Sequence, residues 1–414
     1  MFLRKRSSNL PAVIKKKPAF PLSRMDLADR LHSYLIFEDM PCNFAISGQG
    51  DKEHLIKHVL GHCFKRMPVI ILHNQNHGML SKVAQVWQEE FESLEYADGG
   101  PLWSCDQGGF EPFLEMDDED VVQILVELAQ VAGYSNSAVF EKVVRAHQKI
   151  LHHAHLDVSL TGLHYLCSFE DLEEFQNNIM ALECSLGEKN QIMASIGIIG
   201  DSKTEALDNF RSIISRLSYQ AAKSGWSQDQ AVGCMNITTA IQNNAVMALN
   251  VNSSNAAFLL AYLGHELRLH LGQNLLLLID EVNLTGTGIP AVLKDAAWDF
   301  RFGILGGNVL DLMDSDTETA QKFCEKLDLM ILTKHRTATV ASPYSDLIGT
   351  VQAEKQTTTY SRGKEFLAFL PDHENESRAY TLEDRPRVRV DQIQNLHDKQ
   401  VILFDTSTNG VLLL

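Results

Sequence analysis

An acidic pair follows a strongly apolar run in the second half of the chain. The run extends from Leu275 to Ile279, and Asp280 and Glu281 come directly after it. An aspartate at the end of a buried strand can hold the Mg²⁺ shell of a phosphoryl-transfer site, and the next glutamate can polarise the attacking water. A buried strand that merely exits into an acidic turn would have the same pattern. The sequence therefore predicts catalytic roles for Asp280 and Glu281, with Asp280 as the metal residue, if a phosphate-binding loop accompanies them.

A glycine-containing loop follows the first strand pattern of the chain. Such a loop binds nucleotide phosphates when it has the form G-x-x-x-x-G-K-[ST], because the lysine contacts the β- and γ-phosphates and the hydroxyl binds Mg²⁺. A glycine turn at the start of a helix also favours anions. The candidate ATP-binding residues of this loop are Ser47, Gly48, Gln49, Gly50, Asp51 and Lys52.

Neither alignment of this loop restores the complete motif. When the loop is aligned on Gly50, Ala45 replaces the first glycine, Asp51 replaces the lysine and the hydroxyl is lost. When it is aligned on Lys52 instead, both glycines and the hydroxyl are lost. An acidic side chain repels a triphosphate, and a missing hydroxyl removes a metal ligand. We therefore expect that binding of ATP and Mg²⁺ is impaired, and that the chain is a pseudo-ATPase and not an active enzyme.

Strand patterns alternate with helix patterns on both sides of a long helical region. Uninterrupted β-branched runs are typical of strands that are buried on both faces of a parallel sheet. Their alternation with helices predicts a doubly wound sheet. The predicted fold class is α/β, a RecA-like P-loop NTPase core with a mainly parallel sheet and an inserted all-α domain. The strand patterns are Cys42–Ser47, Met67–His73, Ala245–Val251, Leu275–Asp280, Phe302–Gly307, Leu329–Thr333 and Gln400–Phe404.

The predicted organisation has three parts. Residues 1–40 form a basic N-terminal arm, which is either a solvated tail or a docking arm for anionic lipid or an acidic partner. Residues 117–223 show the 3.6-residue apolar period of helices and form the all-α insertion domain. Residues 41–116 and 224–414 form the RecA-like domain.

Composition restricts the classes of function and the cellular location. The chain has 414 residues, a net charge of −17 and 7 scattered cysteines without a CxxC pair. The acidic balance argues against dominant, sequence-independent DNA binding. The dispersed cysteines fit buried thiols in a reducing compartment. No apolar run is long enough to span a bilayer. We therefore expect a cytoplasmic protein, which could lie peripherally at the inner face of the membrane.

In the order of its motifs the chain resembles the ATPase domain of type IV secretion coupling proteins, the TraG/TraD-type motors of conjugation. The resemblance covers about residues 40 to 405, and its landmarks are specific in order but weak residue by residue. The family's sensor glutamine has no clear counterpart, and no N-terminal membrane helix precedes the loop. Besides the glycine loop and the acidic pair, the landmarks are Val69–Leu72, Gly108–Phe113, the helical insertion, Ala245–Val251, a helix over Ala256–His270, Asp299–Leu305, Asp346–Val351, Thr358–Lys364 and Arg389–Leu396.

The resemblance implies a coupling-protein-like component of a secretion or conjugation machine, either recruiting substrate or serving as a structural motor subunit. It implies an oligomer, with copies of itself or with an active ATPase, and partners among the other machinery subunits. It makes Arg301 a candidate inter-subunit arginine, and DNA or protein a candidate substrate. Membrane contact is expected only through a partner or through the basic arm. Two alternatives stay open: an active ATP-driven DNA translocase in which Lys52 replaces the displaced lysine, and a non-enzymatic adaptor for protein partners.

Overall fold

The computed structural model describes residue 26 onward with several gaps. The residues outside the description are 1–25, 38–39, 65, 75–76, 92–101, 105–109, 168–175, 178–179, 182–183, 202–203, 224–235, 252–255, 297–299, 315, 325 and 364–372. Both basic clusters of the predicted arm, Arg4–Arg6 and Lys15–Lys17, lie outside the described residues. Among the described helices, none combines the length and the apolar character needed to cross a membrane.

Thirteen strands and sixteen helices are described here in chain order. The strands are β1 (Ile36–Phe37), β2 (Met40–Pro41), β3 (Phe44–Ser47), β4 (Val69–His73), β5 (Leu102–Ser104), β6 (Val246–Asn250), β7 (Leu275–Asp280), β8 (Phe300–Gly306), β9 (Leu329–Leu332), β10 (Thr350–Gly363), β11 (His373–Pro386), β12 (Ile402–Asp405) and β13 (Gly410–Leu413). The helices are α1 (Leu27–Leu35), α2 (Lys52–Leu55), α3 (Lys57–Phe64), α4 (His77–Phe91), α5 (Asp118–Val131), α6 (Ser137–His153), α7 (Leu160–Cys167), α8 (Leu186–Asp201), α9 (Thr204–Lys223), α10 (Ile237–Gln242), α11 (Ala256–Arg268), α12 (Ile289–Asp295), α13 (Val309–Met313), α14 (Thr317–Cys324), α15 (Ala338–Ile348) and α16 (Val390–Gln394).

The main sheet has nine strands in the order β13-β12-β9-β3-β8-β7-β4-β6-β5. The seven strands from β9 to β5 run parallel, whereas β12 and β13 are antiparallel to their neighbours. The prediction of an α/β fold with a mainly parallel sheet is confirmed. The fully buried strands β3, β4, β7, β8 and β9 explain why their sequences are continuous apolar runs.

Alternate side chains of each strand enter two different apolar cores. One core packs Phe44 and Ile46 of β3 against α1 and α3. The other packs Ala45 of β3 with the helices between α5 and α11. Within the described residues of 117–223 the secondary structure is helical, as the 3.6-residue period predicts. Because these helices share one continuous core with the sheet, their independence as a separate domain stays a prediction.

Helix α1 lies inside the segment predicted as an N-terminal arm. Its apolar face is buried, and these residues belong to the core that contains α3. Its spacing is that of an amphipathic helix, with Leu27, Leu31 and Leu35 one turn apart. The arm therefore includes a packed helix next to the core, and the prediction of a basic tail concerns the residues before it.

A turn before the helical region connects that region to the sheet. The Glu111 carboxylate accepts hydrogen bonds from the backbone N–H groups of Phe113 at 3.3 Å and Leu160 at 2.6 Å, so it caps the start of α7. The hydroxyl of Tyr262 lies 2.7 Å from the Pro112 carbonyl. Burial raises the pKa of Glu111, although the hydrogen bonds from Leu160 and Phe113 oppose the shift. This turn was noticed in the sequence as a landmark, and its structural role is to hold two helices.

Strands β10 and β11 form a separate two-stranded antiparallel ribbon. The pairing runs without interruption from Thr350 opposite Pro386 to Gly363 opposite His373. Residues 364–372, which connect the two strands, lie outside the described residues. At about 3.4 Å per residue the ribbon is roughly 45 Å long. The strand predictions did not include this ribbon.

Candidate functional site

The candidate residues lie at the carboxyl edge of the parallel strands, where open α/β sheets bind their ligands. Asp280 at the end of β7 is opposite Leu305 of β8, and Ser47 at the end of β3 is opposite Gly306 of β8. One strand thus separates the loop strand from the acidic strand. Because neighbouring strands are about 4.8 Å apart, β3 and β7 are separated by roughly 10 Å. The glycine loop and the acidic pair therefore face each other across the end of β8.

Lys52 crosses this gap and contacts Glu281. Its Nζ lies 3.0 Å from Glu281 Oε1, and the Lys52 side chain is 10% exposed. Glu281 has a φ of +53°, which is unfavourable for a residue with a side chain, and its N–H donates to the Leu305 carbonyl at 2.9 Å. Backbone strain of this kind tends to occur at functional sites. The structure therefore brings together two of the residues that the sequence predicted, and it adds strain at one of them.

The backbone of the glycine loop is hydrogen bonded to the end of β8 and to the segment that follows β9. The Gly48 N–H donates to the Gly306 carbonyl, and the Gln49 N–H donates to the Lys334 carbonyl, each at 3.0 Å. Only Gly48, Gln49, Gly50 and Asp51 link β3 to α2. This link is shorter than the G-x-x-x-x-G segment before the lysine of a working phosphate loop, whose N–H groups cradle the phosphates. The first two N–H groups of this loop already have partners within the protein.

Asp51 occupies the N-terminus of α2, where a phosphate would bind. Its carboxylate accepts a hydrogen bond from the His54 N–H at 2.9 Å. An N-cap carboxylate satisfies the exposed N–H groups of a helix and the positive end of its dipole. The side chain of Asp51 therefore takes the role that an anion would otherwise have, and it adds a negative charge at the same place.

Gly48 is required by the close approach of the loop to Thr333, which directly follows β9. Its φ is +122°, and a Cβ added there would lie 2.4 Å from Thr333 Oγ1 and 2.8 Å from the Thr333 carbonyl oxygen. Gly50 has a similar φ of +124°, but a Cβ there would meet nothing within 4 Å. Gly48 is thus fixed by both conformation and packing, whereas Gly50 is fixed by conformation alone.

Ser47 belongs to a buried polar network and not to an open phosphate site. Its Oγ lies 2.5 Å from the Tyr344 hydroxyl and accepts a hydrogen bond from the Val309 N–H at 3.2 Å. The Tyr344 hydroxyl lies 2.6 Å from Asn308 Oδ1 and accepts from the Leu310 N–H at 3.3 Å. Ser47 and Tyr344 are both completely buried. The Ser47 hydroxyl therefore holds the start of α13 in this structure, and its contact with phosphate stays a prediction.

Three further residues lie at this edge, and two of them, Tyr344 and His73, were missed from the sequence. Tyr344 lies on α15 far from the loop in sequence, and no local pattern identifies it. His335 stacks on the Tyr344 ring with centroids 4.8 Å apart. Burial and, less strongly, the charge on Lys52 lower the pKa of His335 to about 4, although a hydrogen bond with the Ser47 carbonyl opposes the shift. His73, buried at the end of β4, is the register partner of Asp280 and could have been noticed as a polar strand end.

The structure does not bring Arg301 to the candidate site. Arg301 is opposite Leu276 at the amino-terminal end of the strands, four positions before Leu305, which pairs with Asp280. At about 3.3 Å per residue this is roughly 13 Å from the acidic pair. Arg301 is also only 6% exposed. The structure thus places Arg301 away from the acidic pair of its own chain, and its inter-subunit role, which concerns a neighbour's phosphate, stays a prediction.

The described residues fit Mg²⁺ and a triphosphate poorly. Within the described part of the chain, no group of three or more His, Cys, Asp or Glu side chains could hold a metal ion. Lys52 is a suitable phosphate ligand and Asp280 a suitable residue for the metal shell. However, Asp51 is repulsive, the Ser47 hydroxyl is buried, and no Ser or Thr follows the lysine.

Comparison with known proteins gives matches to solved structures. No protein-family model and no curated protein matches the sequence. Among solved structures, the bacterial conjugative coupling protein TrwBdeltaN70 in its unbound monoclinic form matches with a TM-score of 0.52 and 12% identity, over 93% of this chain and 90% of that chain. Its trigonal form in complex with sulphate matches with a TM-score of 0.50 and 11% identity, over 94% and 91%. At this identity the likeness shows the fold alone.

Proposed function

We propose that the chain is a coupling-protein-like component of a conjugation or type IV secretion machine, with a RecA-like core whose nucleotide site is impaired. The likeness to a conjugative coupling protein extends over nearly the whole chain, which supports this class. Function does not follow from fold alone, so the candidate site must support the proposal. The observation that supports an impaired site is the closed glycine loop, in which the Gly48 N–H bonds to Gly306 of β8 and the Gln49 N–H bonds to Lys334.

The proposed role is structural or recruiting. A subunit with this fold can pack beside active motor subunits without hydrolysing ATP, and the helices of residues 117–223 offer a surface for substrate or partner proteins. Its partners would be other subunits of the machine, with copies of itself or an active ATPase in the oligomer. A cytoplasmic position at the inner face of the membrane would then depend on a partner or on the basic arm.

One observation favours an active DNA translocase instead. The contact between Lys52 Nζ and Glu281 Oε1 places a lysine beside the acidic pair, as a shifted phosphate-binding lysine requires. In that case phosphate would have to displace Glu281 from Lys52. In the translocase proposal, the ion pair between Lys52 and Glu281 is a resting contact that phosphate displaces. In the impaired-site proposal, the ion pair is permanent and Glu281 takes the place of phosphate.

ATP hydrolysis separates the two proposals. The full chain and the Glu281→Gln variant are assayed with Mg²⁺, in the absence and presence of single- and double-stranded DNA. The impaired-site proposal predicts the same background rate for both proteins, with no stimulation by DNA. DNA-stimulated hydrolysis that is lost in Glu281→Gln would contradict it and support the translocase. Glu89→Gln, at an exposed position on α4, is the control for a general effect of removing one negative charge.

A further inference from the structure

The helix that begins with Lys52 is tied to α1 by a shared carboxylate. Asp26, at the start of α1, accepts hydrogen bonds at Oδ2 from His54 Nε2 at 2.5 Å and from Lys57 Nζ at 2.9 Å. His54 lies on α2, and Lys57 begins α3. We call these three residues, Asp26, His54 and Lys57, the clasp. It joins the N-terminal helix to both halves of the segment that follows the glycine loop.

The protonation states within the clasp follow from its geometry. Partial burial alone would raise the pKa of Asp26, but hydrogen bonds from Lys57 and His54 hold it well below its usual range. An ionised carboxylate only accepts hydrogen bonds, so His54 Nε2 must carry the hydrogen in this contact. Because Asp26 is ionised, its hydrogen bonds from His54 and Lys57 are charge-assisted, and such bonds are about twice as strong as neutral ones.

The apolar side of α1 supplies a fixed base for the clasp. Leu27, Leu31 and Leu35 are buried in the core that also contains Val59 and Leu60 of α3. The position of α1 is therefore set by α3, while Asp26 extends from its first turn towards α2. The Asp51 carboxylate binds the His54 N–H on the same short helix. A movement at His54 is thus transmitted within one helical turn to Lys52 and its contact with Glu281.

We propose that Asp26 is a positioning residue for the Lys52 segment, and that its hydrogen bonds with His54 and Lys57 couple α1 to this segment. The proposal goes beyond the proposed function because it requires neither nucleotide binding nor hydrolysis. It predicts that a partner or surface that displaces α1 loosens the glycine loop.

Other charged groups lie near the clasp, and one pair provides a matched control. Asp29 of α1 accepts a hydrogen bond from His58 Nε2 of α3 at 2.5 Å, one helical turn from Asp26 and away from α2. The His32 ring lies 5.5 Å from the His58 ring. The remaining titratable or charged residues of the packed elements are Arg30 on α1, Asp51, Lys52 and Glu53 at α2, His62 and Arg66 at α3, Lys82 and Glu89 on α4, and Glu281 facing Lys52.

Hydrogen exchange of the full chain tests the proposal. Backbone amide exchange in residues 48–55 is measured for the wild type, Asp26→Asn, Asp26→Glu and Asp29→Asn. Asp26→Asn should lower the protection of this segment roughly threefold relative to the wild type. Asp29→Asn should behave as the wild type.

Two outcomes would overturn the proposal. One is that Asp26→Asn and Asp29→Asn change exchange in residues 48–55 equally, because the effect would then be a general loosening of α1. The other is that Asp26→Asn leaves exchange in residues 48–55 unchanged, because Asp26 would then not hold this segment. Asp26→Glu, which keeps the charge, should restore the protection of residues 48–55 at least in part. Since no nucleotide is used, neither outcome depends on whether the proposed function is correct.

Discussion

Glu266 is a buried carboxyl group whose protonation should make the stability of this protein depend on pH near neutrality. It is completely buried on α11, the helix before the acidic strand. Its Oε1 accepts a hydrogen bond from the Thr238 N–H at 3.2 Å, and its Oε2 lies 2.6 Å from the Tyr262 hydroxyl. Burial raises the pKa of Glu266 from 4.5 to about 7, although these hydrogen bonds lower it in part.

The sign of the effect follows from the linkage between protonation and folding. Between pH 4.5 and pH 7 the folded protein retains a proton that the unfolded chain has lost, so the free energy of unfolding falls as the pH rises. The stabilising contribution of the neutral Glu266 is complete below the unfolded pKa and is lost as the pH rises through the folded pKa. For a shift of this size the loss is roughly 3 kcal/mol.

The substitution Glu266→Gln should remove this pH dependence. The amide keeps an oxygen for the Thr238 N–H and provides an N–H group for the Tyr262 hydroxyl, which can still donate to the Pro112 carbonyl. Urea unfolding of the wild type and the variant at pH 5 and pH 8 measures the effect. The variant should gain roughly 2 to 3 kcal/mol relative to the wild type between pH 5 and pH 8.

A matched control separates the effect of Glu266 from the effect of removing any one acidic residue. Glu119→Gln removes an exposed carboxylate that pairs with Arg145, and it should change the pH dependence little. The reasoning would be refuted if Glu266→Gln and the wild type lost the same free energy of unfolding between pH 5 and pH 8. It would also be refuted if the variant were less stable than the wild type at pH 8.

Three further predictions concern residues that hold the site and its supports. Gly48→Ala should lower the free energy of unfolding by about 3 kcal/mol, because it adds a clash with Thr333 to the backbone strain. Gly50→Ala adds backbone strain alone and should lower it by about 1 kcal/mol. Equal losses of the two variants in urea unfolding would contradict the clash with Thr333. Tyr344→Phe should cost about 2 kcal/mol, because it leaves buried polar groups without a partner, and an unchanged midpoint would contradict the network. Glu111→Ala should cost about 2 kcal/mol by removing a buried cap, and circular dichroism should show a partial loss of helix.

The sheet was predictable from the sequence because its strands are buried on both faces. Continuous apolar runs such as that of β7 identify such strands, and its predicted bounds of Leu275–Asp280 match the observed ones. The start of α6 was also predictable, since the Asn136 side chain accepts a hydrogen bond from the Val139 N–H as an N-cap. These patterns involve residues that are close in the sequence, so they can be recognised without knowledge of the tertiary structure.

The remaining features depend on contacts between distant parts of the chain. The ribbon of β10 and β11 lacks an apolar run, so its strands could not be recognised by hydrophobic pattern. Tyr344 contacts Ser47, although the two residues are 297 positions apart in the sequence. The order of motifs in the chain assigns Arg301 to a strand. It does not show at which end of the sheet Arg301 lies. The contact between Lys52 and Glu281 likewise required the folded structure.

The closed glycine loop is tested most directly by calorimetric titration with a non-hydrolysable ATP analogue in the presence of Mg²⁺. The wild type and Asp280→Ala are titrated to millimolar nucleotide. We expect no binding to either protein, because the Gly48 and Gln49 N–H groups and the Ser47 hydroxyl already have partners and Asp51 repels phosphate. Micromolar binding to the wild type that is lost in Asp280→Ala would contradict it and show that Lys52 serves a working phosphate site.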